Sequence, residues 1–468
     1  MKTFSASNFI NLNSNLKLSK NTYYIAVLAV ITFNSILSFE NITFDLYFNN
    51  LYEEYANYFK TKDLNSFSNS NTTFPIWGYS LFHLFGKSVI LNLLVQQLFT
   101  FINLIILDIV IRKHKLIYNI DLFRITILLS STWFLFHTQM WPKSPASNLL
   151  LLGIILLIDY CKTKKYKTLV LSAVCFGILH NFRSEYFYLS ILIMLLLLFY
   201  DNKVYNYLKT SSFLLIQLIF LIPWMVFTFN QIGKPLISST NSGHVFFIGL
   251  GQLPNNIWGI TPIDKDPLKQ ELLEEKFQKD YDTIPYSSWN SIEENNYLKE
   301  EFYNFVINHP KEWIKKNFYA IRLLILDPFY VGNVGNFQQN KISNIDEIRK
   351  LEVLFYDFKF RKMFDLIYET KWQINAKEII QLLITVYTKL FGIMIFVAFL
   401  ISFLIASYKM LQKKIVFSKV EKILLTIIIY QIAISILAFH MPVYNSSIYI
   451  IYLIVLYLLF QKNLSIKQ

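Results

Sequence analysis

The chain has 468 residues, 54% of them hydrophobic and only 16% charged, with a formal charge of +13 and two cysteines. Charge this sparse, against about a quarter in soluble domains, and confined between long apolar runs, makes lipid the solvent for most of the chain. The basic excess sits in short clusters beside those runs, not along one soluble face, which argues against nucleic acid as a partner. Cys161, beside a basic loop, and Cys175, inside a predicted span, imply neither a disulfide nor a metal site.

The first apolar run, 23–39, is long enough to span. Glu40, Asn41 and Ile42 follow it where a cleavage site would need small residues, so it reads as a permanent signal-anchor helix. Further spans are predicted at 88–111, 122–138, 145–160, 168–182, 185–200, 211–229, 383–407, 422–440 and 446–461, about ten in all. Arg183 and Glu185 interrupt the apolar stretch 168–200. Their spacing favours two spans joined by a tight turn over one long broken helix.

Lys17 and Lys20 precede the first span; Arg112, Lys113 and Lys115 follow the second; Lys162, Lys164, Lys165 and Lys167 follow the fourth. Lys409, Lys413, Lys414 and Lys419 follow the eighth, and Lys462 and Lys467 end the chain. With this span count every basic loop falls on one side, which the positive-inside rule makes cytoplasmic, with both termini inside. Three regions result: an N-terminal membrane module, 1–229, with a first external loop at 40–87; an external loop domain, 230–382; and a C-terminal membrane module, 383–468. The middle region mixes both charges, carries turn signals at Gly233-Lys234-Pro235 and Asp266-Pro267, and has helical stretches near 268–280 and 292–322.

Chemistry-bearing residues gather on the predicted external side. The first loop holds Asp45, then Tyr52-Glu53-Glu54-Tyr55-Ala56, where a carboxylate beside the membrane surface can serve as a general base or simply be part of a solvated acidic loop. Between the fifth and sixth spans lies Gly177-Ile178-Leu179-His180-Asn181-Phe182-Arg183-Ser184-Glu185-Tyr186. A charge at bilayer centre costs roughly 2.5–3.5 kcal/mol on insertion scales, so Arg183 must reach the interface or find partners. A guanidinium there suits a phosphate, and a local pair with Glu185 is the alternative. Lys143 in Trp141-Pro142-Lys143-Ser144-Pro145 adds a cation, and His440-Met441-Pro442-Val443-Tyr444-Asn445 adds polar groups at the mouth of the last hairpin. His244 and the loop Gly249–Gly259 are polar, but they lack the strand–helix context and lysine of a phosphate-binding P-loop.

In its layout, and in Gly177–Tyr186, Asn308-His309-Pro310-Lys311-Glu312-Trp313 and His440-Met441-Pro442-Val443-Tyr444, the chain resembles the GT-C superfamily of membrane glycosyltransferases. The branch is the one that includes protein O-mannosyltransferases and the aminoarabinose transferase of lipid A. The resemblance implies an all-α polytopic bundle with a large external loop domain in the bacterial cytoplasmic membrane. It also implies inverting transfer of a sugar from a polyprenyl-phosphate donor to a lipid, glycan or protein acceptor on the external face. Asp45 would be the base, with Arg183, supplemented by Lys143, on the leaving phosphate; Glu185, Tyr55, His180, His440 and Tyr444 are the remaining candidate contacts. Asp45 stands farther from Tyr52 and Ala56 than the family's aspartate does, so Glu53 and Glu54 stay open as the base. Metal-dependent relatives carry acidic residues in the second external loop; the turn 137–147 has none, which favours a mechanism without a metal cofactor. A polymerase or ligase of the O-antigen type would place its large loop later and richer in arginine. A lipid-linked glycan transporter would show broken, charged helices at mid-membrane and internal pseudo-symmetry.

Overall fold

The computed structural model describes residues 17–38, 89–138, 143–200, 204–281, 291–330 and 376–464, with 361, 362 and 365. Among these residues the chain is helical and no strand occurs. In chain order the helices are α1 (Lys20–Ser38), α2 (Val89–Lys113), α3 (Ile120–Leu129), α4 (Ser131–Phe136), α5 (Lys143–Thr163), α6 (Tyr166–His180), α7 (Tyr186–Tyr200) and α8 (Val204–Ile232). There follow α9 (Ser242–Leu250), α10 (Pro267–Phe277), α11 (Ile292–Asn308), α12 (Pro310–Leu326), α13 (Ala376–Leu411), α14 (Lys419–Leu437), α15 (Pro442–Ser446) and α16 (Tyr449–Leu464).

By length and composition, five helices among the described residues can cross a membrane: α2, α5, α8, α13 and α14. Helices α6, α7 and α16 are apolar but shorter. Helix α8 shows how the bundle is sorted. Leu215, Ile219, Ile222, Val226 and Phe229 form an exposed stripe at helical spacing, while Gln217, Leu221, Trp224 and Thr228 are fully buried. An outward stripe that is wholly apolar, with the polar Gln217 and Thr228 turned inward among Leu221 and Trp224, is the pattern of a helix whose outer face meets lipid.

The expected span at 122–138 is two helices, α3 and α4, which meet at Ser130. The Ser130 hydroxyl donates back to Thr126 O at 2.6 Å and accepts from the Tyr449 hydroxyl of α16 at 3.1 Å. Serine back-bonding competes with the helical ladder, and the tyrosine fixes the break. The stretch 168–200 is two helices, α6 and α7, joined by a turn at 181–185.

The basic loops meet at one end of the bundle. Buried Asp108 of α2 accepts Arg124 Nε of α3 at 2.8 Å, Arg112 Nε at 2.9 Å and the Tyr24 hydroxyl of α1 at 3.1 Å. Lys113 and His114 reach Asp159 near the end of α5 at 2.6 and 2.7 Å. Lys409 of α13 donates to Asn463 O at 2.7 Å, and Lys462 of α16 pairs with Glu421 at the start of α14. Thr126 of α3 bonds the Tyr457 hydroxyl of α16 at 2.6 Å, which ties the groups together. Lys143 begins α5, and a 21-residue helix is about 30 Å long, so it lies at the opposite end from Asp159.

At that opposite end α9–α12 enclose a second, smaller core around Phe247, Leu250, Leu273, Tyr281 and Leu298. Local chemistry fixes these helices. Asp266 caps α10 with Pro267 in its first turn, Ser291 and Glu294 form a capping box on α11, and Pro310 starts α12 directly after His309 ends α11. Lys316 of α12 donates to Ile436 O at 2.8 Å and Ala438 O at 2.8 Å, closing the last carbonyls of α14. Burial pushes its amine down to about 7.

Helix α9 is wedged between this core and the bundle. A Cβ on Gly243 would lie 2.1 Å from Asn295 O, and one on Gly249 2.1 Å from Ala438 O, the carbonyl that Lys316 also holds. Backbone stands on both sides, so neither contact is relieved by turning a side chain. Gly249→Ala is therefore expected to destabilise the protein by about 1–3 kcal/mol, seen as a lower thermal midpoint in detergent. Val245→Ala on the same helix removes atoms and should cost less; equal midpoints for Gly249→Ala and wild type would show that α9 can move away freely.

Candidate functional site

Arg183 sits in the turn between α6 and α7. Its backbone N–H donates to Leu179 O at 2.9 Å, and Tyr186 N–H donates to Arg183 O at 3.3 Å, so the turn is a tightened continuation of both helices. The Asn181 amide anchors it to α8 by donating to Phe220 O at 3.1 Å. Arg183 Nε donates to Glu185 Oε1 at 2.6 Å, and Nη2 contacts the same oxygen. Tyr430 of α14 donates from its hydroxyl to Glu185 O, which fixes the far side of the turn.

Tyr444, on the short helix α15, is where two cations converge. Lys143 Nζ lies 4.8 Å and the Arg183 guanidinium 5.2 Å from its ring centroid. An aromatic face attracts a cation by about 0.5–1 kcal/mol when exposed and about 2 kcal/mol when desolvated, so one ring holds both charges near each other. Ser447 stitches the surroundings: its hydroxyl pairs with that of Tyr186 at 3.0 Å and its carbonyl accepts from Ser147 of α5 at 2.7 Å. Burial acts to lower the Arg183 pKa, but Glu185 and Tyr444 outweigh it and the net direction is up, so the guanidinium stays charged.

A second group of polar side chains is built on α9, α10 and the segment between them. His244 of α9 is 2% exposed, with Nε2 3.1 Å from Asp264 Oδ1 and Nδ1 2.9 Å from Lys269 Nζ. Lys269, in the first turn of α10, also donates to Asp264 O at 2.9 Å. The lysine on Nδ1 sets the tautomer, with the Nε2 proton donated to Asp264. That hydrogen bond, working against burial and helped by His244, Lys269 and Lys143, holds the Asp264 carboxyl below the usual range. Burial pushes the Lys269 amine down to about 7.

Of the residues singled out from sequence, Lys143, Arg183, Glu185 and Tyr444 come together. His180 and His440 do not join them by any direct bond. His180 Nε2 pairs with Gln217 of α8 at 2.7 Å, inside the helix packing. Gln252 clamps the His440 backbone on both its N–H and its carbonyl, each at 2.8 Å, and the His440 ring meets Asp327 O at 3.2 Å. Asp45, Glu53, Glu54 and Tyr55 lie outside the described residues. Asp264 and Lys269 were not singled out. The available signal was two aspartates before Pro267 with a single capping role to fill, which Asp266 takes by accepting from Lys269 N at 2.8 Å and from Thr261.

Among the described residues no group of three or more His, Cys, Asp or Glu side chains is placed to hold a metal ion. Chemically, the Lys143–Arg183 pair offers a fork and a point charge to an anion, and Glu185 keeps the fork oriented. Compared with family profiles, curated proteins and solved structures, the chain has no match.

Proposed function

We propose that the chain is a GT-C-type membrane glycosyltransferase that moves a sugar from a polyprenyl-phosphate donor to an acceptor on the external face, with inversion at the anomeric carbon. The observation that carries this reading is the convergence of Lys143 and Arg183 on the Tyr444 ring, at the end of the bundle away from the basic loops. A lipid-linked phosphate arrives in the membrane plane and needs cations fixed near its surface; water-filled sites do not need them buried against apolar helices. As the sugar leaves, negative charge grows on the phosphate oxygen, and preset cations stabilise it without reorganising. The resemblance supplies the proton acceptor from the first loop: Asp45, or Glu53 or Glu54.

The reading carries a topology: about ten spans, both termini and the basic end in the cytoplasm, and the Tyr444 end with α9–α12 outside a bacterial inner membrane. Helix α12 would lie along the external interface, where Ile314 and Phe318 are exposed beside Lys311 and Lys315. Reporter fusions after Lys165 and after Tyr281 should report cytoplasmic and external positions respectively; the same side for both would defeat the topology. For activity, membranes containing the chain should move radiolabelled sugar from a polyprenyl-phosphate donor into a lipid, glycan or protein fraction. Membranes that transfer from none of a panel of such donors would defeat the enzymatic reading. Lys143→Met should lower transfer by about 10-fold, less than loss of the fork, because a point charge is one donor among several; unchanged turnover would take Lys143 out of the site.

A further inference from the structure

We propose that α12 is the element by which the chain recognises an anionic bilayer surface. Ile314, Phe318 and Ile321 enter the acyl chains, while Lys311, Lys315 and Arg322 meet the lipid phosphates. Nothing in this assignment depends on the transferase reading.

The side chains of α12 sort into three lines. Lys316, Ala320 and Leu324 recur every four residues and are buried. Ile314, Phe318 and Ile321, at i, i+4 and i+7, form an apolar stripe, with Phe318 67% and Ile314 48% exposed. Lys311, Lys315 and Arg322, at i, i+4 and i+11, form a basic line beside it. Lys315 pairs with the mostly buried Glu312 at 3.0 Å, and the Arg322 guanidinium stands 6.0 Å from the Tyr319 ring. An exposed apolar line flanked by long basic side chains is the pattern of a helix lying in a headgroup layer, where the stems follow the acyl chains and the charges reach the phosphates.

Its place in the fold points to lipid as the occupant. Lys316 donates to the carbonyls of Ile436 and Ala438, either side of Leu437, the half-exposed last residue of α14. At the other end of α12 its cap Asp327 pairs at 3.4 Å with Lys389 of α13, whose chain neighbourhood includes exposed Val386 and Leu390. Helices α13 and α14 are both long and apolar enough to cross a membrane. Helix α12 is therefore fastened at the level where their exposed apolar side chains begin, and its stripe lies at the rim of that surface.

Charge selects the kind of lipid. Helix α11 carries Glu293, Glu294, Glu300 and Glu301 against one cation, Lys299. Helix α12, which follows it directly, carries Lys311, Lys315, Lys316 and Arg322 against one acid, Glu312. An anionic surface repels the first helix and attracts the second, so it favours the orientation that puts the α12 stripe into the bilayer.

The test uses the full chain in vesicles of mixed phosphatidylcholine and phosphatidylglycerol with bromine on the acyl chains, subtracting wild-type fluorescence. The emission added by Phe318→Trp or Ile314→Trp should be quenched. That added by Glu293→Trp, at an exposed position about 20 Å along α11 from the start of α12, should not. With bromine on one lipid at a time, phosphatidylglycerol should quench Phe318→Trp in preference to phosphatidylcholine. Lys311→Gln and Lys315→Gln should each lower that preference about fivefold and leave the quenching itself. Quenching at neither 314 nor 318 overturns insertion of the stripe and leaves it to another protein. A preference absent from the start, or unchanged by both lysine substitutions, overturns recognition of the anionic headgroup. None of these readouts requires sugar transfer, so a chain that transfers from no donor defeats the transferase reading alone.

Discussion

Arg183→Ala is expected to lower transfer by about 10²–10³-fold, the loss usual when one preset donor to a developing oxyanion is removed. On the proposed transferase reading the change should fall mainly on kcat, because the charge that Arg183 would meet grows as the donor's bond breaks. Arg183→Lys keeps the charge but not the fork that Glu185 orients through Nε at 2.6 Å, so it should recover only part of the rate. Two controls separate chemistry from folding. Arg183→Ala leaves the Glu185 carboxylate, 30% exposed, without its partner, whereas the double variant Arg183→Ala/Glu185→Gln does not. If the double variant is as inactive as the single one while its thermal midpoint recovers, the loss belongs to the phosphate clamp. If it regains transfer with its midpoint, Arg183 serves only to neutralise Glu185. Arg183→Ala keeping a third or more of wild-type turnover would remove the clamp from the mechanism altogether.

Arg183 and Glu185 were legible because charge between apolar helices is expensive, and few explanations exist for a costly residue. What the chain could not disclose was their company. Lys143 and Tyr444 belong to distant segments, and only packing of α5 against the closing turn, through Ser147 and Ser447 at 2.7 Å, sets them on one ring. His180 shows the reverse. It looked available beside Arg183, yet direction around a helix depends on the neighbour, and α8 presents Gln217. Asp264 was hidden for a third reason: in a segment rich in both charges an aspartate costs nothing to explain. The same division holds for the fold. Apolar runs marked most helices, since hydropathy is a property of the local chain. The break at Ser130 was invisible because it needs Tyr449 of α16 to hold it, and Pro223 inside α8 leaves the helix assignment continuous from Val204 to Ile232 although proline usually ends one.

Arg124→Ala, at the opposite end of the bundle, should cost about 3–5 kcal/mol, the range for removing one partner of a buried ion pair. Arg124 is 5% and Asp108 3% exposed, and Arg124 gives Asp108 two bonds, at 2.8 and 3.1 Å. It also donates to Leu18 O at 2.8 Å and stands over the Tyr23 ring at 5.3 Å, so one side chain pins α1 and the segment before it to α2 and α3. Arg112 and Tyr24 remain on Asp108 after the change, which favours the lower half of that range over complete unfolding. The expected signature is less folded protein and a lower midpoint, with turnover per folded molecule unchanged, since no part of this network meets the Tyr444 ring. Replacing both partners, Asp108→Leu with Arg124→Met, removes the stranded carboxylate and should restore much of the midpoint. A single variant as stable as wild type would mean that water reaches Asp108 readily. Turnover per folded molecule falling with Arg124→Ala would mean instead that α1, which leads into the first loop, helps position the site from the other end of the bundle.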